Sequence, residues 1–530
     1  MELFLLKRIA ELFCTLGAAF GHLRLQRIGA DLWDFVQKEY RPVIATPPIN
    51  TAASKITRAV GWNTVSEEIL ELPKDKIDAI AAHEQRLDEI LSSELFNDIM
   101  HRAAAIDPEV GDAKEKRPVF LAPYADPRVR FYRRLRDLIP VGAIDTIICV
   151  PWIRVGGADL VACLLAGALK KTRPNERVVI LRLDYSNLER KEWIPEGVDT
   201  PDLSTLLGAI SEEQVELLLY VLFMGVNPKR IINVNSRRCW KTFQRFGSRL
   251  TAQMPLYAYL FCWDQTASGM RVGYPTEFFP TTAPFLDGVF MDTRYLREEL
   301  IRIYQPPAPL RERMVVLRSP ARSEPSLQIS IEAAVKTAAR RPRPKVLWAG
   351  RLDRQKRFDL VIDIARRTPD VEFACWGEAL LDPPPDRTAL PSNLRLKKNF
   401  VSYDELPLVD SDCWLFTSDW EGMPTLLIEL AMRGVAVIAT AVGGVPELVD
   451  ETTGWPVPLG SGVDVYIRVL RTALANPAER VERARRLQRR AEQDYAQSGY
   501  ESQVEAALRK AEENGRLKAT ESDTIVGHNR

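Results

Sequence analysis

The chain has 530 residues, 46% hydrophobic and 27% charged, a balance that excludes a largely disordered or fibrous protein and at roughly 100–200 residues per domain implies about three domains. Lys plus Arg number 72 against 71 Asp plus Glu, so a net charge of +1 supplies no global field for nucleic acid, and none is expected as a partner. The seven cysteines are dispersed, odd in number and without C-x-x-C, and four histidines form no zinc pattern; reduced thiols in a cytoplasmic protein are the natural reading.

Residues 1–115 read as a mainly helical N-terminal extension without strand–helix alternation. Ile69, Leu70, Ile77, Ile80, Leu87, Ile90, Leu91 and Leu95 recur at helical spacing, and the Pro- and Thr-rich stretch at 45–53 breaks the segment. No run reaches the ~18 uninterrupted apolar residues of a spanning helix. The N-terminus is interrupted by Lys7, Arg8 and Glu11, so it lacks the unbroken apolar core of a signal peptide. Leu5, Ile9, Leu12, Phe13, Leu16 and Phe20 fall within an arc of roughly 100°, with Lys7 and Glu11 opposite. That stripe packs on the protein or on a second copy of the chain, or it lies on a membrane surface; all three readings stay open.

From residue 117 short apolar runs alternate with helix-length segments. VFLAPY (119–124), DTIICV (145–150), RVVILRL (177–183), RIINVN (230–235), LYAYLFCW (256–263) and GVFM (288–291) read as strands, and 157–171, 211–224 and 292–304 as helices. A first Rossmann-like domain is assigned to 116–320 and a linker to 321–343, with a short helix at 330–341. A second alternating series, KVLWAG (345–350), VEFACWG (371–377), CWLFTS (413–418) and VAVIAT (435–440), with helices at 355–367 and 424–433, marks a second domain at 344–476. An Arg-, Glu- and Ala-rich helical segment follows at 477–513, with a route back to the first domain, and 514–530 reads as a disordered tail. The fold class is α/β: two doubly wound, Rossmann-like domains facing a cleft, with the helical extension in front.

Four segments carry the chemistry, each at the carboxyl end of a strand, where open α/β sheets bind ligands. In TSDWEGMPTLLIELAMRG (417–434), Pro424 fits a first helical turn and the amides of Thr425 and Leu426 would meet an anion. Glu421 precedes that helix and Glu429 lies within it; by themselves two glutamates eight apart also suit a solvated surface helix. In WAGRLDRQKRFDL (348–360), Arg351 and Lys356 flank a turn and suit a diphosphate, although a basic surface loop would look the same. VPWIRVGGADL (150–160) carries Gly156 and Gly157, which allow close backbone approach but do not make G-x-G-x-x-G. ATAVGGVPELV (439–449) is a second Gly-Gly loop after a strand.

In this order the segments resemble the family 4 retaining glycosyltransferases, which have the GT-B fold. Glu421 and Glu429 match an E-x7-E motif in an E-G-M-P variant. Gly350, Arg351 and Lys356 match the phosphate-contacting G-R…K segment. Gly443, Gly444, Pro446 and Glu447 match G-G-x-P-E, and Gly156-Gly157-Ala158 resembles the N-terminal Gly-rich loop. The resemblance is strong over 345–460, weaker over 145–305 and absent over 1–115. It implies a metal-independent glycosyltransferase of hexosyltransferase type that needs no cofactor and takes a nucleotide-diphosphate sugar as donor and a glycan or lipid-linked acceptor. The setting it implies is bacterial surface polysaccharide assembly at the inner face of the membrane. Glu421 would contact hydroxyls of the transferred sugar, with Gly422, Met423, Pro424, Thr425 and Leu426 lining the same loop. Glu429 would hold the ribose, Gly350, Arg351 and Lys356 the diphosphate, and the backbone at Phe400 and Val401 the base. Where the family often places a histidine at the end of a first-domain strand, this chain has Asn233 and Asn235, and Asn235 is the residue assigned to that catalytic position. No histidine lies between His101 and His528, so a non-catalytic sugar-nucleotide-binding or assembly subunit is the alternative. Arg237 and Arg238 suit a phosphate or a solvated helix start. Asp410-Ser411-Asp412 resembles a D-x-D metal motif but precedes its strand, and no metal site is assigned.

Overall fold

A computed structural model describes residues 94, 127–321, 341–379, 385–400 and 402–527. The expected features at 3–20, 65–93, 119–124 and 330–340, and Val401, lie outside the described residues. Helix α1 (Pro127–Asp137) leads into the first domain. There β1 (Thr146–Val150), α2 (Gly157–Thr172), β2 (Val178–Arg182), α3 (Glu212–Val226), β3 (Arg230–Val234), α4 (Arg237–Leu250), β4 (Leu256–Leu260), β5 (Gly288–Met291), α5 (Arg294–Tyr304) and β6 (Met314–Val316) follow in turn. All neighbouring strands pair parallel, in the order β2-β1-β3-β4-β5-β6.

The second domain holds β7 (Lys345–Ala349), α6 (Phe358–Arg367), β8 (Glu372–Trp376), β9 (Leu394–Lys397), β10 (Cys413–Phe416), α7 (Thr425–Met432), β11 (Val437–Ala441), β12 (Trp455–Pro458) and α8 (Val463–Ala475). Its sheet is also parallel, ordered β9-β8-β7-β10-β11-β12. The chain ends in α9 (Pro477–Asp494) and α10 (Gln497–Gly527).

A parallel sheet must be covered on both faces, which is why these strands are apolar throughout rather than alternating. Successive residues then feed two cores. In β1, Ile147 and Cys149 join one cluster while Ile148 and Val150 join another. In β7, Val346 and Trp348 part from Leu347 and Ala349 in the same way. Side-chain oxygens start three helices of the first domain. Ser211 makes a capping box with Gln214 on α3, Ser236 accepts the Cys239 amide on α4, and Thr293 accepts the Leu296 amide on α5.

Three strands, β6, β9 and β12, fall outside the sequence expectation. Each is three or four residues long and lies at a sheet edge, so little apolar run marks it. Pro456 and Pro458 are tolerated in β12 because an edge strand need not donate from every amide.

The segment at 477–513 is two helices that serve different domains. Leu487 and Ala491 of α9 pack in a core of the second domain. Tyr500, Val504, Leu508 and Ala511 of α10 share a core with Leu165 and Leu169 of α2 in the first. Arg173 binds Glu505 at 2.8 Å and Glu512 at 2.6 Å, and Arg230 binds Glu512 at 3.0 Å. The outgoing and returning chains run side by side: Ala321 donates its amide to the Tyr495 carbonyl and Arg318 donates its amide to Gln503 Oε1. In place of a disordered tail from 514, α10 continues to Gly527. Once one end of a helix is anchored, adding turns needs only propagation, not a new nucleus.

Because Leu508 is fully buried in the core that α10 shares with the first domain, Leu508→Ala is expected to lower stability by about 2–5 kcal/mol in urea unfolding followed by circular dichroism. A loss under about 0.5 kcal/mol would mean that α10 is not anchored there.

Candidate active site

The strand order of the second sheet reverses between β7 and β10, so the loops leaving their carboxyl ends diverge and open a crevice. Those loops are tied to each other. Thr417 Oγ1 donates to the Lys356 carbonyl at 2.6 Å and accepts from Trp348 Nε1 at 3.0 Å. Asp419 donates its amide to the Gln355 carbonyl at 2.9 Å, and Gln355 Nε2 donates to the Trp420 carbonyl at 2.8 Å. Arg357 takes a left-handed φ of 53°, which turns the chain into α6, and pairs with Asp419 at 3.2 Å. Lys356 Nζ forms an ion pair with Glu421 Oε1 and lies 5.6 Å from the centre of the Phe416 ring. Arg351 Nε is 3.2 Å from Asp353 Oδ2, and the guanidinium also donates to Gln355 Oε1; its side chain remains 40% exposed.

Helix α7 begins at Thr425, with Pro424 in extended backbone just ahead of it rather than inside the first turn. The amides of Thr425 and Leu426 belong to a helix N-terminus and carry its partial positive charge. The second Gly-Gly loop seats beneath this one. Gly443 has φ +55°, and a Cβ there would lie 1.9 Å from the Glu421 carbonyl oxygen, so no other residue fits. Gly444 donates its amide to the Gly422 carbonyl at 3.1 Å.

Glu429 is buried, and Arg433 Nη1, one turn on and equally buried, donates to its Oε2 at 2.6 Å. The Arg433 guanidinium sits 4.6 Å from the centre of the Tyr403 ring, which packs 5.3 Å from Phe400. The Phe400 segment therefore abuts the Glu429 end of the crevice.

On the first-domain side, a Cβ on Gly157 would meet the Thr425 side chain at 3.8 Å, so the Gly156–Gly157 loop faces the start of α7. Asp159, buried in the first turn of α2, accepts the Arg154 amide at 2.9 Å and braces this loop; burial pushes its pKa to about 7. Asn235 lies one residue beyond β3 with φ 64°, while Asn233 beneath it exchanges hydrogen bonds with the Ser236 backbone. Both asparagines build the β3–α4 turn, and among the described residues no hydrogen bond or ion pair joins Asn235 to the Glu421 loop. A first-domain side chain that does reach this loop is Asp292, two strands across, whose Oδ2 accepts the Met423 amide at 2.7 Å. Sequence reasoning passes over Asp292 because GVFMDT reads as a strand followed by a helix start. The available signal was a carboxylate at the carboxyl end of a strand.

Asp410 and Asp412 lie at the opposite, amino end of β10. They bind Lys345 Nζ at 2.7 Å and Arg480 Nη2 at 3.0 Å respectively, and Asp412 Oδ2 accepts the Lys345 amide at 2.8 Å. Trp376 and Trp414 are buried in the sheet core, whereas Trp420 reaches across the crevice and donates from Nε1 to Asp264 at 3.3 Å.

Residues 331–494 match the family model described as Glycosyl transferases group 1. No curated protein sequence matches the chain. Among solved structures, Anabaena Alr3699/HepE in complex with UDP and glucose is 17% identical with a TM-score of 0.53, covering 69% of this chain and 99% of its own. Sucrose-phosphate synthase from Thermosynechococcus elongatus is 15% identical with a TM-score of 0.52, covering 71% and 100%. The lipopolysaccharide outer core galactosyltransferase WaaB in its apo form is 13% identical with a TM-score of 0.51, covering 69% and 99%. At these identities the likeness is one of fold: two facing Rossmann-like domains, the GT-B arrangement. No helix among the described residues is long and apolar enough to cross a membrane.

Breaking a buried ion pair from one side leaves an uncompensated charge. Arg433→Ala is therefore expected to cost about 3–5 kcal/mol by denaturant unfolding, and replacing Arg433 and Glu429 together by Met is expected to cost less than the single change. A single-variant loss below about 1 kcal/mol would show that Glu429 is not held by Arg433.

Proposed function

We propose that this protein moves a sugar from a nucleotide-diphosphate sugar to a glycan or lipid-linked acceptor, with retention of configuration and without a metal. The observation that carries the reading is the convergence, at the strand-order reversal of the second sheet, of Arg351, Lys356, Glu421 and the start of α7, opposite the Gly156–Gly157 loop of the first domain. UDP-sugars are the first donors to test, since Alr3699/HepE binds UDP and glucose.

In this reading the C1–O bond to the diphosphate breaks and a C1–O bond to the acceptor hydroxyl forms on the same face. The acceptor proton passes to an oxygen of the departing phosphate. Negative charge grows on the diphosphate, where Arg351, Lys356 and the amides of Thr425 and Leu426 form a preorganised positive field. Lys356 is engaged by Glu421 in the free chain, so the diphosphate takes over the ammonium and frees Glu421 for sugar hydroxyls. Glu429 meets the ribose while Arg433 fixes its carboxylate. Phe400 and Val401 meet the base, and Gly350, Gly422, Met423 and Pro424 supply the close backbone walls. Asn235 is left a marginal part in donor chemistry. Surface polysaccharide assembly at the inner membrane face remains the proposed setting, with residues 1–20 packing on the protein, on a second copy of the chain or on the membrane.

Lys356→Ala and Arg351→Ala are each expected to lower transfer by on the order of 10²–10³-fold, measured with radiolabelled donor. Near wild-type rates in both would place the diphosphate elsewhere. Turnover is expected to survive excess EDTA; complete loss restored by Mn²⁺ or Mg²⁺ would overturn the metal-free mechanism. Donor hydrolysis without acceptor separates an enzyme from a non-catalytic binding subunit, which would bind nucleotide sugar and leave it intact.

A further inference from the structure

Beside the Trp420–Asp264 hydrogen bond, two further carboxylates cross the seam between the domains and each accepts a backbone amide of the other domain. Asp292, at the end of β5 in the first domain, accepts the Met423 amide of the second domain at 2.7 Å. Glu447, in the Gly-Gly loop of the second domain, accepts the Tyr295 amide at the start of α5 in the first at 3.0 Å, with its Oε2 3.4 Å from Arg294. We propose that Asp292 and Glu447 are reciprocal positioning residues that clamp the domains across the crevice and set the Glu421–Met423 loop for the donor. The functional half of this proposal rests on the glycosyl-transfer reading; the clamp does not.

The contact surface around the clamp is tight. A Cβ on Gly422 would lie 2.4 Å from Asp292 Oδ2 and 2.9 Å from the Phe261 carbonyl oxygen, and one on Gly444 would lie 2.1 Å from Thr293 Cγ2. Backbone of one domain thus touches side chain and backbone of the other, and only glycine permits it. Glu447 also places its negative charge at the positive end of α5.

Asp292 is the sensitive half. Its Oδ1 is buried and has no hydrogen-bond partner among the described residues. Glu421 faces it from the donor loop and Glu447 from the Gly-Gly loop, and burial pushes its pKa to about 8, with the Met423 amide pulling the other way. The remaining titratable and charged groups around it are Lys356, Arg294, Cys262 and Asp264, with Tyr259 from β4 and Tyr495 from the crossing to α10. When the domains part, Asp292 returns to water and to a carboxylate pKa of ~3.9. Closing then takes up a proton between about pH 4 and pH 8, so the clamp weakens as pH rises through that window and is flat outside it.

The test uses small-angle scattering of the full chain without ligand, across pH 5 to 8.5, followed by donor kinetics. Wild type is expected to expand as pH rises. Asp292→Asn, which keeps an acceptor oxygen for Met423 but cannot titrate, is expected to stay compact with no pH slope. Asp292→Ala and Glu447→Ala are expected to be expanded throughout and to raise donor KM about tenfold, the loss of one hydrogen bond across the seam, with Glu447→Gln partly restoring both. Wild type and Asp292→Asn sharing one pH slope, or Asp292→Ala as compact as wild type with an unchanged KM, would overturn the clamp. If Asp292→Ala does not fold, the Asp292→Asn slope still decides. A wild-type chain that binds no nucleotide sugar would sink the glycosyl-transfer reading alone, since the scattering measurements need no donor.

Discussion

The loop that carries Glu421 is held from outside its own domain, through the amide that Met423 donates to Asp292. A buried amide and a buried carboxylate each lose free energy when left unpaired, so neither can move without the other. Around that bond the glycine at 422 leaves room for the carboxylate, and within the second domain the glycine at 443 leaves room for the Glu421 carbonyl. The same loop sets Glu421 against Lys356. Loop shape, domain register and the protonation of Asp292 are therefore one coupled quantity.

The chain passes between the domains twice, and the two passages touch. The outgoing segment at 318–321 hydrogen-bonds to the returning segment at Tyr495 and Gln503, and α10 then closes a core of the first domain. Two linked crossings restrict how the domains can part, favouring rotation about the paired segments over free separation. The clamp at Asp292 and Glu447 is separate in sequence from these crossings: its residues come from 292–295 and 422–447, with the Trp420–Asp264 bond close by in sequence. A hinge on one line and a protonation-dependent clasp on another is a physically sufficient arrangement for a cleft that opens and closes.

How far the sequence was legible depends on the element. The central strands could be read because parallel strands buried on both faces are apolar without interruption. The edge strands β6, β9 and β12 could not, being short and, in β12, proline-bearing. Arg351, Lys356, Glu421 and the two Gly-Gly loops were legible as neighbours because each follows a strand, and strands of a parallel sheet deliver their loops to one edge. The same rule set aside Asp410 and Asp412, which precede β10 and serve as ion-pair anchors at its amino end. Asn235 stands in the β3–α4 turn with a left-handed φ, and a first-domain contact to the Glu421 loop comes from Asp292, which no local pattern marks. Glu429 and Arg433 stand one helical turn apart, but spacing alone does not show that both are buried and paired.

What the sequence determined by itself was local and periodic: which segments are strands or helices, where glycine must stand, and which loops leave carboxyl ends of strands. These depend on residues a few positions apart, whose spacing the chain displays directly. The tertiary structure alone decided which carboxylate meets which amide across the seam, that α10 belongs to the first core, and that Arg433 satisfies Glu429. Asp292 and Met423 are separated by more than a hundred residues of chain, and nothing in either neighbourhood encodes the other. Their meeting follows from the packing of two complete domains, and so does the shift in proton affinity that burial imposes on Asp292.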